Sequence, residues 1–401
     1  MSDDRSLGLR GLVKRRAFVG ALTAVLFGGA LLGCKSSSSL AAAEGSAQTT
    51  AQTKAVGGAG VIFIGSYGDP NGLTLAAPAA KTGETANGAL ALAGQGPALP
   101  KASFLVQSKD RKFLYSVNET EPGEGKVTAL DISDPAQPKV LNSQSSRGAL
   151  PCHVALDPSG RYLLTANYGD GAVTVHRIQP DGRLGESTDM VKQTGTTREA
   201  HAHQIVFDPS GKWILSVDLG ADSVFVYQLD ANTGKLSKQG QVTLPVKTGP
   251  RHLAFHPSGK YAYILGELTP VVTVGTWDAS RGSLQLGQTV NSVAKNDPPN
   301  FPGEIAVSSD GKFVYASNRG ENSIATFAVQ DAGAKLEFLG TSTSGGNWPR
   351  HFTFSPDERW MYISNQRSGK VTWLPRDPST GRLGAPAGSI DVPTAAIVLF
   401  H

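Results

Sequence analysis

A turn signature recurs at a nearly constant interval through most of this 401-residue chain. It reads Ser108-Lys-Asp-Arg, Asp157-Pro-Ser-Gly, Asp208-Pro-Ser-Gly, His256-Pro-Ser-Gly, Ser308-Ser-Asp-Gly and Ser355-Pro-Asp-Glu, at spacings of 49, 51, 48, 52 and 47 residues. A short apolar run precedes each turn, as at 154–156 and 205–207, and another follows it, as at 162–166 and 213–217. A third run comes a few residues later, at 172–178 and 223–229, and then a Gly-Lys-Leu or Gly-Arg-Leu turn leads to a weaker fourth. Four strands in about 40–50 residues is the period of a β-propeller blade, a unit that buries its faces only by stacking on its neighbours.

The chain ends complete a ring. Residues 61–64 followed by Gly65-Ser-Tyr-Gly-Asp69 parallel 163–164 followed by Ala166-Asn-Tyr-Gly-Asp170, so the first unit begins at its second strand. The apolar stretch 395–400, placed after Pro393 as a first strand, supplies the missing one. Joining the termini removes the open sheet edge that invites aggregation. The prediction is an all-β, seven-bladed β-propeller over residues 60–401, with four-stranded blades and the C-terminal strand paired to the N-terminal strands. Composition agrees. With 47 Gly, 24 Pro and 17% charged residues, the chain does not suit a coiled coil or helical bundle. Its 39% hydrophobic content excludes a wholly disordered chain.

The N-terminus reads as an export signal. Lys14-Arg15-Arg16-Ala17-Phe18 precedes a small, apolar run at 19–33 that ends in Leu31-Leu-Gly-Cys34. The run is too short and glycine-rich for a membrane span, but suits the apolar core of a signal peptide. Its end resembles a bacterial lipobox, in which Cys34 becomes the lipidated first residue. Arg15-Arg16 with Phe18 resembles a twin-arginine signal, although Lys14 stands where Ser or Thr is commoner. An ordinary secretory signal with an incidental cysteine is the plainer alternative. The expected organisation is a signal at 1–33, a Ser- and Ala-rich flexible tether at 34–59, and the propeller. The expected location is the cell envelope or periplasm, with a membrane anchor through Cys34. Cys152 is the one other cysteine. It reads as a small core residue, and with Cys34 acylated no intramolecular disulfide forms.

The net charge of +4 divides unevenly. Five basic residues against Asp3 and Asp4 place +3 in residues 1–33, which leaves +1 for the rest. No basic stripe remains to hold a phosphate backbone, so nucleic acid is not an expected partner. A monomer acting on a small molecule is expected.

The repeat also gives coordinates for a site. The first strand of each blade runs into its turn and the second runs back, so the start of one and the end of the other share one end of the blade. Five places before each turn's first residue stand Cys152, His203, Arg251, Gly303 and Arg350. Four places before it stand His153, Gln204, His252, Glu304 and His351. Ten places after it stand Asn118, Asn167, Asp218, Gly266, Asn318 and Asn365, and eleven after it Glu119, Tyr168, Leu219, Glu267, Arg319 and Gln366. The plus-ten column is Asn in most blades and reads as structural, closing a turn. The minus-five and plus-eleven columns carry a different polar group in nearly every blade, as one asymmetric site on a symmetric scaffold requires. Five of the eight histidines, His153, His201, His203, His252 and His351, stand at this same end. His, Arg and carboxylate groups gathered there suit acid–base chemistry on an anionic substrate.

These motifs carry a resemblance. Pro151-Cys-His153, His201-Ala-His203, Gly249-Pro-Arg-His252 with Gly266-Glu-Leu268, Phe301-Pro-Gly-Glu304 with Ser317-Asn-Arg-Gly320, and Pro349-Arg-His351 with Asn365-Gln366 resemble the seven-bladed lactonase family over essentially all of 61–401. That family includes a bacterial 6-phosphogluconolactonase and a fungal carboxymuconate cycloisomerase. The resemblance implies His203, Arg251, Glu267 and Arg319 as catalytic groups. Two departures are Gly303, where the family often has Ala, and Gly266, where it often has Asn.

The expected chemistry is opening of an aldonolactone by activated water. Either His203 or Glu267 serves as base, and Arg251 and Arg319 hold an oxyanion or an anionic substituent. His153, His201, His252, Glu304, Arg350, His351, Glu119 and Gln366 are the expected substrate-binding groups. The sequence contains no Gly-x-Ser-x-Gly elbow and no close-spaced His/Cys set, so neither a serine nucleophile nor a metal or other cofactor is expected. Two alternatives stay open: a muconate-type cycloisomerase using the same groups without water, and a non-catalytic exported propeller that presents a binding face.

Overall fold

Five of the six turn signatures work through their first residue, and in the sixth His256 Nδ1 accepts the Ser258 N–H at 3.1 Å instead. Asp157 Oδ1 accepts the Tyr162 N–H at 2.6 Å, and Asp208 Oδ1 accepts that of Trp213 at 2.9 Å. The hydroxyls of Ser108, Ser308 and Ser355 accept the N–H of Phe113, Phe313 and Trp360, each at 3.0 Å. A short polar side chain thus supplies the acceptor that the tight turn denies to the backbone, which is why Asp or Ser recurs there.

The computed structural model describes residues 60–79, 88–120, 125–196, 198–295 and 299–401. The signal, the tether up to residue 59 and Cys34 lie outside the described residues. The described chain forms seven four-stranded antiparallel sheets arranged as a seven-bladed propeller. Six blades are continuous in sequence, spanning 105–145, 151–192, 202–243, 250–291, 301–343 and 349–391. The remaining blade takes three strands from 62–95 and its first strand from Ala395–Phe400, which pairs antiparallel with Ile62–Ser66. The predicted ring closure is therefore present.

The blades are held by packing and by a repeated staple. Clusters of buried residues lie between neighbouring sheets, such as Leu164, Val175, Ile205 and Phe225 between the blades at 151–192 and 202–243. A tyrosine in the second strand of most blades reaches the next blade's outer turn. Tyr115, Tyr263, Tyr315 and Tyr362 donate to the carbonyls of Gly182, Gly333, Gly381 and Gly88 at 3.1, 3.0, 2.7 and 2.8 Å. Tyr162 reaches Ala231 O at 3.2 Å, and in the blade at 202–243 Trp213 Nε1 takes the same part on Ala279 O at 2.7 Å. Each aromatic ring buries its body between blades and satisfies its polar tip across the seam.

One detail departs from the expected strand limits and positions the site. The inner strands Pro151–Leu156 and Ala202–Phe207 begin three residues before their apolar runs. At 151–153 the sequence is Pro, Cys, His, so no apolar alternation marks the start of the strand. The extra length contains a β-bulge. The pairing skips Cys152, His203, Arg251 and Arg350, takes up Gly303 and Glu304 against a single partner, and skips Ala396 in the closing strand. A bulge breaks the in-out alternation and re-aims a side chain. Consecutive residues such as Arg251 and His252, or Arg350 and His351, consequently line the same central pocket.

Candidate active site

The central pocket is narrow and is lined by Ser103, Cys152, His203, Arg251 and Arg350 from the minus-five places, with Ala396 from the closing strand. Phe104, His252, Glu304 and His351, all at minus-four, line it as well. Six of the predicted site residues thus share one cavity. Glu267 and Arg319 join it through ion pairs. Glu267 Oε2 lies 2.6 Å from Arg319 Nη2 and 3.0 Å from Arg251 Nε, the latter a close ion pair that lacks hydrogen-bond alignment. Burial alone would raise the Glu267 carboxyl, but the two guanidiniums outweigh it and hold it below the usual range. Burial draws Arg319 down to about 10 against the opposing pull of Glu267.

Arg251 is fixed on three sides. Its Nη1 donates to the carbonyl of Gly303 and faces His252 Nε2 at 3.4 Å, while its Nε faces Glu267. The Gly303 place leaves no room for more: a Cβ there would lie 2.6 Å from Arg350 O. Gly266 is similarly confined, since its Cβ would lie 2.6 Å from Thr269 O. Both departures from the family's usual residues therefore fit the local backbone of this chain.

Below these groups sits a layer of rings and one carboxylate. Glu304 Oε2 lies 3.0 Å from His252 Nδ1 and 3.3 Å from His351 Nε2. Phe104 lies against His153 at a 33° tilt with ring centres 3.9 Å apart, and His252 neighbours His153 and His203 at 5.4 and 5.1 Å. Burial, reinforced by the positive field of the neighbouring guanidiniums and imidazoles, holds His153, His203 and His252 well below the usual histidine range. Burial also lowers His351, to about 4, although Glu304 pulls it upward. Burial raises the Glu304 carboxyl. All four imidazoles are consequently neutral at pH 7.

A second cluster closes the other side of the pocket. Glu119 Oε2 accepts from Tyr67 Oη at 2.6 Å and from Ser103 Oγ at 2.5 Å, and Arg350 Nη2 lies 3.7 Å away. The Arg350 guanidinium lies over the Tyr67 ring at 5.0 Å.

Three predicted groups stand apart from the pocket. His153 is beneath it, against Phe104. His201 is at the rim, where its ring stacks on Tyr168 at 4.8 Å and Nδ1 lies 2.7 Å from Tyr168 O. Gln366 is half-buried at the rim, its backbone N–H bonded to Trp348 O at 3.0 Å. The plus-ten side chains are structural as expected. Asn118 donates to Pro100 O at 2.7 Å, and Asp218 Oδ1 accepts the backbone of His201 and Ala221 at 2.8 and 2.7 Å. Cys152 is buried, its thiol pushed up mainly by burial, as a core residue's would be.

Sequence reasoning missed Tyr67, Ser103, Phe104 and Trp348. The first three occupy the columns already counted, because Tyr67 parallels Tyr168, and Ser103 and Phe104 precede Ser108 by five and four. Trp348 forms a wall beside the ion pairs, with Arg319 at 5.5 Å and Arg367 at 3.3 Å from its ring. A different cavity, about 1070 Å³, opens at the turn end of the channel among Ala155, Leu156, Val206 and Phe207. Phe104 lines both cavities, and no arginine of the central pocket faces this second one.

A seven-bladed ring with a charged pocket at the strand starts of its channel defines a propeller of enzymatic type. The comparisons agree. A family model described as "Lactonase, 7-bladed beta-propeller" matches residues 61–400. The chain is 34% identical over 309 residues to a 6-phosphogluconolactonase of Bacillus subtilis (strain 168), covering 75% of this chain and 88% of that one. It is 30% identical over 338 residues to a 6-phosphogluconolactonase of Formosa agariphila, covering 80% and 94%. The solved periplasmic gluconolactonase of Pseudomonas aeruginosa superimposes with a TM-score of 0.77 at 28% identity, covering 85% of this chain and 98% of that one. The chain belongs to the seven-bladed β-propeller lactonase family. It is a lactone-hydrolysing enzyme.

Proposed function

We propose that the protein hydrolyses an aldonolactone in the central pocket, with His203 as the base that activates water. The observation that carries this reading is the bridging of Arg251 and Arg319 by Glu267 beside a neutral, buried His203. Glu267 is committed to two guanidiniums and held ionised, which makes it a counter-ion more than a base. His203 takes a proton from water as the oxygen attacks the lactone carbonyl carbon. The carbonyl electrons move to oxygen, and the guanidiniums stabilise the developing charge in a site with little water. The ring C–O bond then breaks, and the departing alkoxide takes the proton back from His203. The product is a hydroxy acid that ionises at neutral pH.

The depressed basicity of His203 is part of this account. Burial is its main cause, and Arg251, Arg350 and Arg319 add to it. A bound anion or a forming oxyanion cancels part of that positive field, so the imidazole gains basicity when substrate is present.

Proton release in weak buffer tests the reading, with glucono-δ-lactone, its 6-phosphate and a carboxymuconolactone as substrates. At least one aldonolactone should open above the spontaneous rate, and His203→Gln should lose about 100-fold or more in kcat while staying folded. A folded wild-type protein that opens none of them, or a His203→Gln variant of full activity, overturns it. Export with acylation at Cys34 belongs to the same proposal. The signal-like run ending at Cys34 supports it, as does the description of the Pseudomonas relative as periplasmic. The mass of the mature protein from a native host tests it.

A further inference from the structure

The three arginines of the pocket are not equivalent. Arg251 is 2% exposed, with Nη1 bound to Gly303 O and Nε against Glu267. Arg319 is 5% exposed, with Nε on Phe301 O at 2.8 Å and Nη2 on both Pro302 O at 3.0 Å and Glu267. These two share one carboxylate, and each is also held by at least one backbone carbonyl. Arg350 has a 15% exposed side chain, its carboxylate contact is 3.7 Å away, and its guanidinium makes no hydrogen bond among the described residues. Its counter-ion Glu119 is itself occupied by the hydroxyls of Tyr67 and Ser103. The Tyr67 ring and Glu119 hold the guanidinium at the wall of the pocket.

We propose that Arg350 takes an anionic substituent of the lactone, a phosphate or a carboxylate, and so decides between anionic and neutral lactones, with Tyr67 and Glu119 as its positioning residues. This rests on the hydrolase reading above and adds the substrate class. A planar guanidinium offers two parallel N–H groups to such an oxyanion pair, a geometry that an ammonium does not reproduce. Arg251 and Arg319 remain with Glu267 at the reacting end, while Arg350 is the pocket arginine that no protein acceptor holds among the described residues.

The decisive quantity is a ratio of kcat/KM values, that for 6-phosphogluconolactone over that for glucono-δ-lactone. In Arg350→Met this ratio should fall about 30-fold or more, in keeping with loss of hydrogen bonds to a charged group. Arg350→Lys should recover only part of it. Tyr67→Phe keeps the ring and removes the hydroxyl on Glu119. It should raise KM for the phosphorylated lactone while kcat changes little, a split that general loss of structure does not produce. The carboxymuconolactone shows whether a carboxylate serves in place of phosphate. An unchanged ratio in Arg350→Met overturns the proposal. Calorimetric binding of 6-phosphogluconate separates it from the hydrolase reading. If the wild type opens no lactone yet binds this anion and Arg350→Met does not, the subsite stands and the hydrolase reading falls. Equal binding by both proteins sinks the subsite.

Discussion

Replacing Glu267 by Gln keeps the shape of the side chain and removes one charge from the pocket. The carboxylate is 2.6 Å from Arg319 and 3.0 Å from Arg251, whose side chains are 5% and 3% exposed. Neither guanidinium can turn to water, and burial already draws Arg319 down to about 10 with the carboxylate in place. Breaking a buried ion pair from one side costs about 3–5 kcal/mol, because the partner charge stays buried without compensation. A domain of about 340 residues unfolds with an entropy near 0.7 kcal/mol/K, so Tm should fall by about 4–7 °C. The same change leaves Arg251, Arg319 and Arg350 around a pocket with one fewer negative charge. Inorganic phosphate should therefore stabilise the variant more than the wild type; at a hundred times the variant's own Kd the variant gains about 3 kcal/mol, or about 4 °C. Calorimetric scans of both proteins with and without phosphate give the answer. A variant within 1 °C of the wild type, with the same response to phosphate, would refute the reasoning that these charges are dry and mutually dependent.

Three further outcomes follow from the packing. The four neutral channel histidines have folded-state pKa values below that of an unfolded histidine, so between about pH 4 and 6.5 the unfolded chain binds more protons. Stability is complete above that window and is lost as pH falls through it. His351 alone, lowered from 6.5 to about 4, accounts for about 3 kcal/mol, while Glu304, raised by burial, works in the opposite sense. Urea midpoints that do not drop between pH 7.5 and 5 would contradict this. Deleting residues 395–401 removes the partner of Ile62–Ser66 and opens the ring, so the protein should aggregate or lose its cooperative transition; a soluble monomer of unchanged Tm by size exclusion and calorimetry is the contrary result. Asp157→Ala should cost about 1 kcal/mol through its turn, and Asp208→Ala about 2, because Asp208 Oδ2 also accepts Trp277 Nε1 of the next blade at 3.2 Å. Equal midpoints for the two variants would show that this second bond contributes nothing.

The ring was legible in the sequence because its cause is local and repeated. Asp157, Asp208, Ser308 and their equivalents close the same turn with the same side-chain hydrogen bond, and each repeat of that bond writes the blade period into the chain. Closure was legible too, since 395–400 is an apolar run that follows Pro393 where the other blades begin their first strand. The minus-five and plus-eleven columns stood out because equivalent places in a symmetric fold have no structural reason to differ, and the resemblance singled out His203, Arg251, Glu267 and Arg319 within them.

Tertiary structure decided the rest. The bulges that turn Arg251 and His252 to the same side leave no periodic trace, since the residues there are polar or Pro and the pairing shift exists only between strands. Tyr67 and Glu119 lie 52 residues apart and meet only because the ring brings the first two blades together. The different states of Arg251, Arg319 and Arg350 depend on which carbonyls and carboxylates lie within about 3 Å, a condition set by folding across blades. Sequence spacing fixes which residues share a place in the repeat, whereas hydrogen bonding and burial fix which of them remain free to meet a substrate.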